Sequence, residues 1–141
     1  MPWFQLSRLL VAFIALIIVG CGPARHQVNG KVTYEDGSPL EEGNVVGEAT
    51  IDGKLVSVQG NVQKDGTFKW GGEKSGDGAA PGTYRVIVLP RGLGDAEVAE
   101  GKLPAVDKKF TSFDTSEITF EVKSSKNELN IKVTRPTRKL Q

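Results

Sequence analysis

Thr83-Tyr84-Arg85-Val86-Ile87-Val88-Leu89 is the most continuously apolar run after residue 20. Tyr84, Val86 and Val88 share one face of an extended chain while Ile87 and Leu89 share the other, so both faces are suited to burial and the run predicts a central strand. Pro81-Gly82 ahead of it and Pro90 behind it bound the segment. A strand covered on both sides needs neighbours, and the rest of the chain supplies them.

Upstream, Gly71 to Gly82 is rich in glycine and predicts a mobile loop. Thr67-Phe68-Lys69-Trp70 precedes it, with its two aromatics on one face and Asp65-Gly66 as the turn before. Asn44 to Ile51 and Lys54 to Val62 flank Asp52-Gly53, the residue pair that a two-residue type I′ hairpin requires. Val45, Gly47, Ala49 and Ile51 face one way and Glu48 and Thr50 the other. This imperfect alternation marks the hairpin as an edge. Val28, Gly30, Val32 and Tyr34 alternate with polar residues as the first strand, closed by Asp36-Gly37-Ser38-Pro39.

Downstream, the 27 residues from Pro90 to Ser116 lack clean periodicity, although Asp95 to Glu100 can form a helical turn. A connection of this length predicts a crossing from one sheet to another. Ile118, Phe120 and Val122, then Leu129, Ile131 and Val133, alternate with polar residues around Ser124 to Asn127 and predict a terminal hairpin. Arg135 to Gln141 reads as a basic tail that frays. Strands with turn signals at short intervals and one long connection predict an all-β fold, a seven-stranded Greek-key β-sandwich.

The motifs add a family. Gly30-Lys31-Val32-Thr33-Tyr34 with Asp36-Gly37-Ser38-Pro39-Leu40 and Gly43, then Asp65-Gly66-Thr67-Phe68, then Pro81-Gly82-Thr83-Tyr84-Arg85-Val86, resemble the carboxypeptidase-regulatory-like, transthyretin-like (prealbumin-like) sandwich domain. Lys109-Phe110 and Thr115-Ser116 ahead of Ile118 are similar to a segment of small lipoproteins abundant in planctomycetes. Glu117 departs from that pattern, which has Gly there, and residues 44–63 match poorly. The resemblance implies a fold and a location more than an activity. A hydrolase of the transthyretin fold uses several His and Arg residues and a C-terminal Tyr-Arg-Gly-Ser; here the histidines are lacking and the chain ends Arg138-Lys139-Leu140-Gln141.

The location is carried by the N-terminal residues. Arg8 precedes the apolar run Leu9 to Gly20, which has the layout of a cleaved secretory signal helix. Twelve helical residues reach about 18 Å against a hydrocarbon core of about 30 Å, too short to span comfortably. Ile18-Val19-Gly20-Cys21 resembles the bacterial lipobox. That resemblance implies cleavage between Gly20 and Cys21 and lipid attachment at Cys21. Gly22, where an inner-membrane retention signal has Asp, favours the outer membrane, with the domain facing the periplasm or the exterior. The expected organisation is a lipoprotein signal peptide over 1–20, a lipid-anchored tether over 21–26, the sandwich domain over 27–134 and the tail over 135–141.

Without residues 1–20 the chain carries seventeen basic and seventeen acidic residues, so no net field gathers nucleic acid, and none is expected as a partner. The single cysteine leaves no disulfide. One histidine, His26, removes serine and cysteine triads and most zinc sites. Gly71-Gly72-Glu73-Lys74-Ser75 lacks the glycine before lysine that a phosphate loop needs. Asp36, Asp52, Asp65 and Asp77 each precede Gly, in turn spacing rather than calcium-loop spacing. No cofactor and no metal is expected.

Three functions remain. The first is a non-enzymatic binding or structural module of the cell envelope, with an envelope protein or polysaccharide as its partner. The second is a carrier or recognition domain for a small ligand or polysaccharide, with Trp70, Phe110, Phe113 and the 90–116 connection as its surface. The third is a hydrolase built on Asp95, Glu97 and Asp107.

Overall fold

The computed structural model describes residues 24–138. The chain is mostly strand: β1 (Val28–Tyr34), β2 (Gly43–Ile51), β3 (Lys54–Val62), β4 (Thr67–Lys69), β5 (Gly82–Pro90), β6 (Ile118–Val122) and β7 (Asn127–Val133), with a short helix α1 (Asp95–Ala99) and a 3-10 turn (Lys108–Thr111) between β5 and β6. The strands form two sheets, in the orders β4-β1-β7 and β3-β2-β5-β6.

The β2–β3 hairpin forms as expected, with Asp52 at φ 50° and Gly53 at φ 74°, the left-handed pair of a type I′ turn. β3 is one edge of its sheet and β6 the other, and β5 lies between β2 and β6. Tyr84, Val86 and Val88 face inward and are fully buried, as are Val28 and Val32 of β1 and Val45 of β2. Leu129, Ile131 and Val133 of β7 complete the other wall.

Trp70 fills the centre. It is 0% exposed, donates Nε1–H to the Val45 carbonyl at 3.2 Å, and meets Tyr84 at 5.5 Å and Phe120 at 6.0 Å between ring centroids. Gly47 makes room for it, because a Cβ at that position would lie 2.8 Å from the indole ring.

Two sequence expectations about connectivity are corrected. The terminal hairpin does not form: β6 pairs with β5 in the four-stranded sheet, while β7 pairs parallel with β1 in the other. Two amphipathic strands bury the same faces whether they pair side by side or oppose each other across a core, so alternation alone does not separate the two arrangements. Asn127 fixes the outcome. Its amide nitrogen donates to the carbonyls of Lys123 (2.8 Å), Ser125 (2.9 Å) and Gln27 (3.3 Å), and its oxygen accepts from Lys123 N at 2.8 Å. The corner is thereby tied to the start of β1.

The 27-residue connection does not change sheets either. It joins β5 to its antiparallel neighbour β6, and its length goes into packing: Val106 and Phe110 are buried in the core, and Ser116 Oγ donates to the Val86 carbonyl.

Two segments expected to be loose are held. In the glycine-rich loop Gly71 exchanges backbone hydrogen bonds with Gln59, and Asp77 accepts from Gly72 N at 2.7 Å. The described part of the tail is also docked, with Arg135 stacked over Tyr34 at 3.5 Å and Arg138 donating to the Gly101 carbonyl at 2.8 Å. Within the expected tether, His26 pairs with Ala79.

Candidate functional site

β1 and β7 run parallel, so Tyr34 and Val133 reach the same end of the molecule. Gly43 and Pro90 lie opposite each other at that end of the second sheet. The β1–β2 turn, the long connection and the residues after β7 converge there on a groove of about 580 Å³.

Tyr34 and Arg135 join its parts. The Tyr34 hydroxyl donates to the Ala105 carbonyl at 2.9 Å, tying β1 to the long connection. Burial pushes the Tyr34 phenol above its ordinary pKa, against the pull of the Arg135 guanidinium beside it. Arg135 in turn donates to Asp36 Oδ2 at 3.3 Å and Ser38 Oγ at 3.2 Å. Asp36 is held below its usual carboxylate range mainly by the Ser38 hydroxyl.

Glu97, in α1, organises the opposite side. It accepts from Lys102 Nζ at 2.7 Å, Arg91 Nη2 at 2.9 Å and Gly94 N at 3.0 Å. These donors, Lys102 foremost, lower its pKa to about 2. Arg91 also pairs with Glu42 at 3.1 Å, and its own pKa is raised, chiefly by Glu97. The ion pairs set the shape of the connection beside the groove. Leu103, 41% exposed, and Pro104 add an apolar strip to the lining.

The sequence-expected surface is not assembled. Trp70 and Phe110 lie in the core and present no face to a ligand. Phe113 is half-buried and receives the Arg85 guanidinium at 5.3 Å from its centroid. An aromatic side chain is equally suited to a core and to a contact surface, and here the core took two of the three. The 90–116 connection does line the groove, through Arg91, Leu93 and residues 102–105. Tyr34 and Arg135 were not singled out from the sequence; an aromatic at a strand end and an arginine beside Pro136 carry no distinguishing spacing.

The three loop carboxylates do not form a reaction centre. Asp95 sits exposed in the first turn of α1, Glu97 is committed to its cations, and Asp107 accepts from Lys109 N at 3.0 Å to cap the 3-10 turn. Among the described residues no group of three His, Cys, Asp or Glu side chains is placed to hold a metal ion. Asp65 and Asp77 act as turn residues: Asp65 accepts from the Thr67 hydroxyl at 2.6 Å, and hydrogen bonds, led by those from Thr67 and from Gly72 N respectively, lower both pKa values.

Gly20 and Cys21 lie outside the described residues. Among the described residues no helix is long and apolar enough to cross a membrane. No family model, curated protein or solved structure matches the chain.

Proposed function

We propose that this chain is a lipid-anchored, non-catalytic recognition module of the bacterial cell envelope, held by lipid on Cys21 and presenting its end groove to an envelope protein or polysaccharide. The fold reading that goes with it is a transthyretin-like Greek-key sandwich behind a cleaved signal helix. Its support is the strand order, together with the links after β1, β3, β4 and β6, each of which passes between the two sheets. Support for the anchor is Ile18-Val19-Gly20-Cys21 at the end of an apolar run.

The observation that carries the recognition role is the position of the groove. β1 starts at Val28, seven residues after Cys21, and ends at Tyr34 in the groove wall. At about 3.3 Å per residue that strand sets the groove roughly 20 Å beyond its own start. An anchor at Cys21 therefore leaves the groove facing away from the bilayer. Its lining mixes both charge signs with Tyr34, Leu103 and Pro104, which suits a partner offering hydroxyl or amide groups along with apolar surface.

Site-specific photo-cross-linking in intact cells tests this. A photoreactive residue at Leu103 should capture a protein or glycan partner, and Arg91→Ala should reduce that capture. The same probe at Lys132, on the exposed face of β7, is the control. The reading fails if position 103 captures nothing that position 132 does not.

A further inference from the structure

We propose that the opposite end of the domain, where the chain emerges from its N-terminal segment, is a docking face for the headgroup layer of an anionic phospholipid bilayer. Leu55 is its inserting residue, and Lys54, Lys123 and Lys126 form its cationic rim. The inference rests on the anchoring reading and adds which face of the domain touches lipid and through which side chains.

The strand registers place these residues together. Val28 pairs with Asn127, Gly82 with Val122 and Ile51 with Lys54, so the β2–β3 hairpin tip and the Lys123–Lys126 corner lie at the end where β1 begins. Arg25 is fixed to the same end through the Gly78 carbonyl at 2.7 Å and Asp77 at 3.4 Å. Cys21 lies four residues before it. Four fully extended residues span at most about 14 Å, so an acylated Cys21 brings this end within that distance of the lipid.

The surface there suits such a neighbour. Leu55 is 70% exposed, more than any other large apolar side chain among the described residues. It stands at a hairpin tip opposite polar Thr50, so no core contact accounts for it. Lys54, Lys123 and Lys126 are exposed around this end. Their acidic neighbours are Asp52 in the same turn, Glu121 two residues before Lys123, Glu128 at 3.8 Å from Lys126, and Asp77, which Arg25 engages. An apolar tip with a lysine rim is a combination that binds the interface of anionic membranes. At the far end Val98, 60% exposed, supplies an internal control.

The test uses the full chain, exported by a bacterial host and reconstituted into vesicles of phosphatidylglycerol and phosphatidylethanolamine. Leu55→Cys, Lys126→Cys and Val98→Cys are each labelled with a small fluorophore, and the vesicles carry a nitroxide on their headgroups. Quenching at positions 55 and 126 should exceed that at 98 by about threefold or more, and exchanging phosphatidylglycerol for phosphatidylcholine should roughly halve it at 126. Equal quenching at all three positions in protein that floats with the vesicles overturns the docking face and leaves the anchor standing. Unchanged quenching at 126 in phosphatidylcholine overturns the anionic preference. Protein that does not float overturns both docking and anchor.

Discussion

Glu117 adopts φ 56°, in the left-handed region, where a side chain is strained by about 1–2 kcal/mol. The chain is forced into it because Ser116 is buried against β5 through the Val86 carbonyl while Ile118 must already begin β6. Glycine relieves that strain, though its freer unfolded chain offsets part of the gain, by about 0.4–1 kcal/mol. Glu117→Gly should therefore raise stability by up to about 1 kcal/mol, read as a higher midpoint in urea with an unchanged slope; a fall in the midpoint would contradict the strain argument. Glu97 makes a second prediction at this scale. Its folded pKa of about 2 lies below the ordinary 4.5, so the stabilisation from Lys102, Arg91 and Gly94 N is fully present above pH 4.5 and is lost as pH falls through the folded value. Carboxyl-detected titration should place the Glu97 midpoint near 2, and Glu97→Gln should flatten the stability profile between pH 4.5 and 2. A midpoint at the ordinary value would dissolve the ion-pair account of the groove wall.

Asn127 carries more than its size suggests. At 4% exposure it satisfies both sides of the corner between sheets, and Asn127→Ala leaves Lys123 N and three carbonyls without those partners. The expected loss is about 1–3 kcal/mol, measured by denaturant unfolding. Asn127→Asp keeps the acceptor for Lys123 N but removes the amide donor, so it should recover only part of that loss. The same residue shows where sequence reading stopped. Strands β1, β6 and β7 were legible from a two-residue period and β5 from its continuous apolar run, because burial of a face is a local property of the chain. The partner of each strand was legible only where a turn dictated it, as Asp52-Gly53 did for β2 and β3. Ser124 to Asn127 looked like a hairpin turn, and nothing in its residue types reveals that Asn127 bonds across to Gln27, a hundred positions away. The groove was half legible for the same reason. The 90–116 connection stood out by length, whereas Tyr34, Arg91 and Arg135 meet only once the sheets have packed.

At the scale of the whole molecule, the two ends of the strands have different chemistry, and under the proposed anchoring Cys21 would decide which end faces what. Two or three acyl chains, at about 0.8 kcal/mol per buried CH₂, would hold the domain on a membrane essentially without release. The apolar run Leu9 to Gly20 is too short to span as a helix by roughly 12 Å, so it is a poor substitute for lipid on the thiol. Cys21→Ala should abolish incorporation of radioactive palmitate, because no second thiol exists in the chain, and should leave the precursor with its first twenty residues uncut. Labelling that survives the substitution would remove the anchor, and with it the reason for the groove to face outward and for the Leu55 end to face lipid. Lost labelling with normal cleavage would separate processing from acylation and place the domain free in the exported compartment, where the groove could still bind but the hairpin tip would have no membrane held against it.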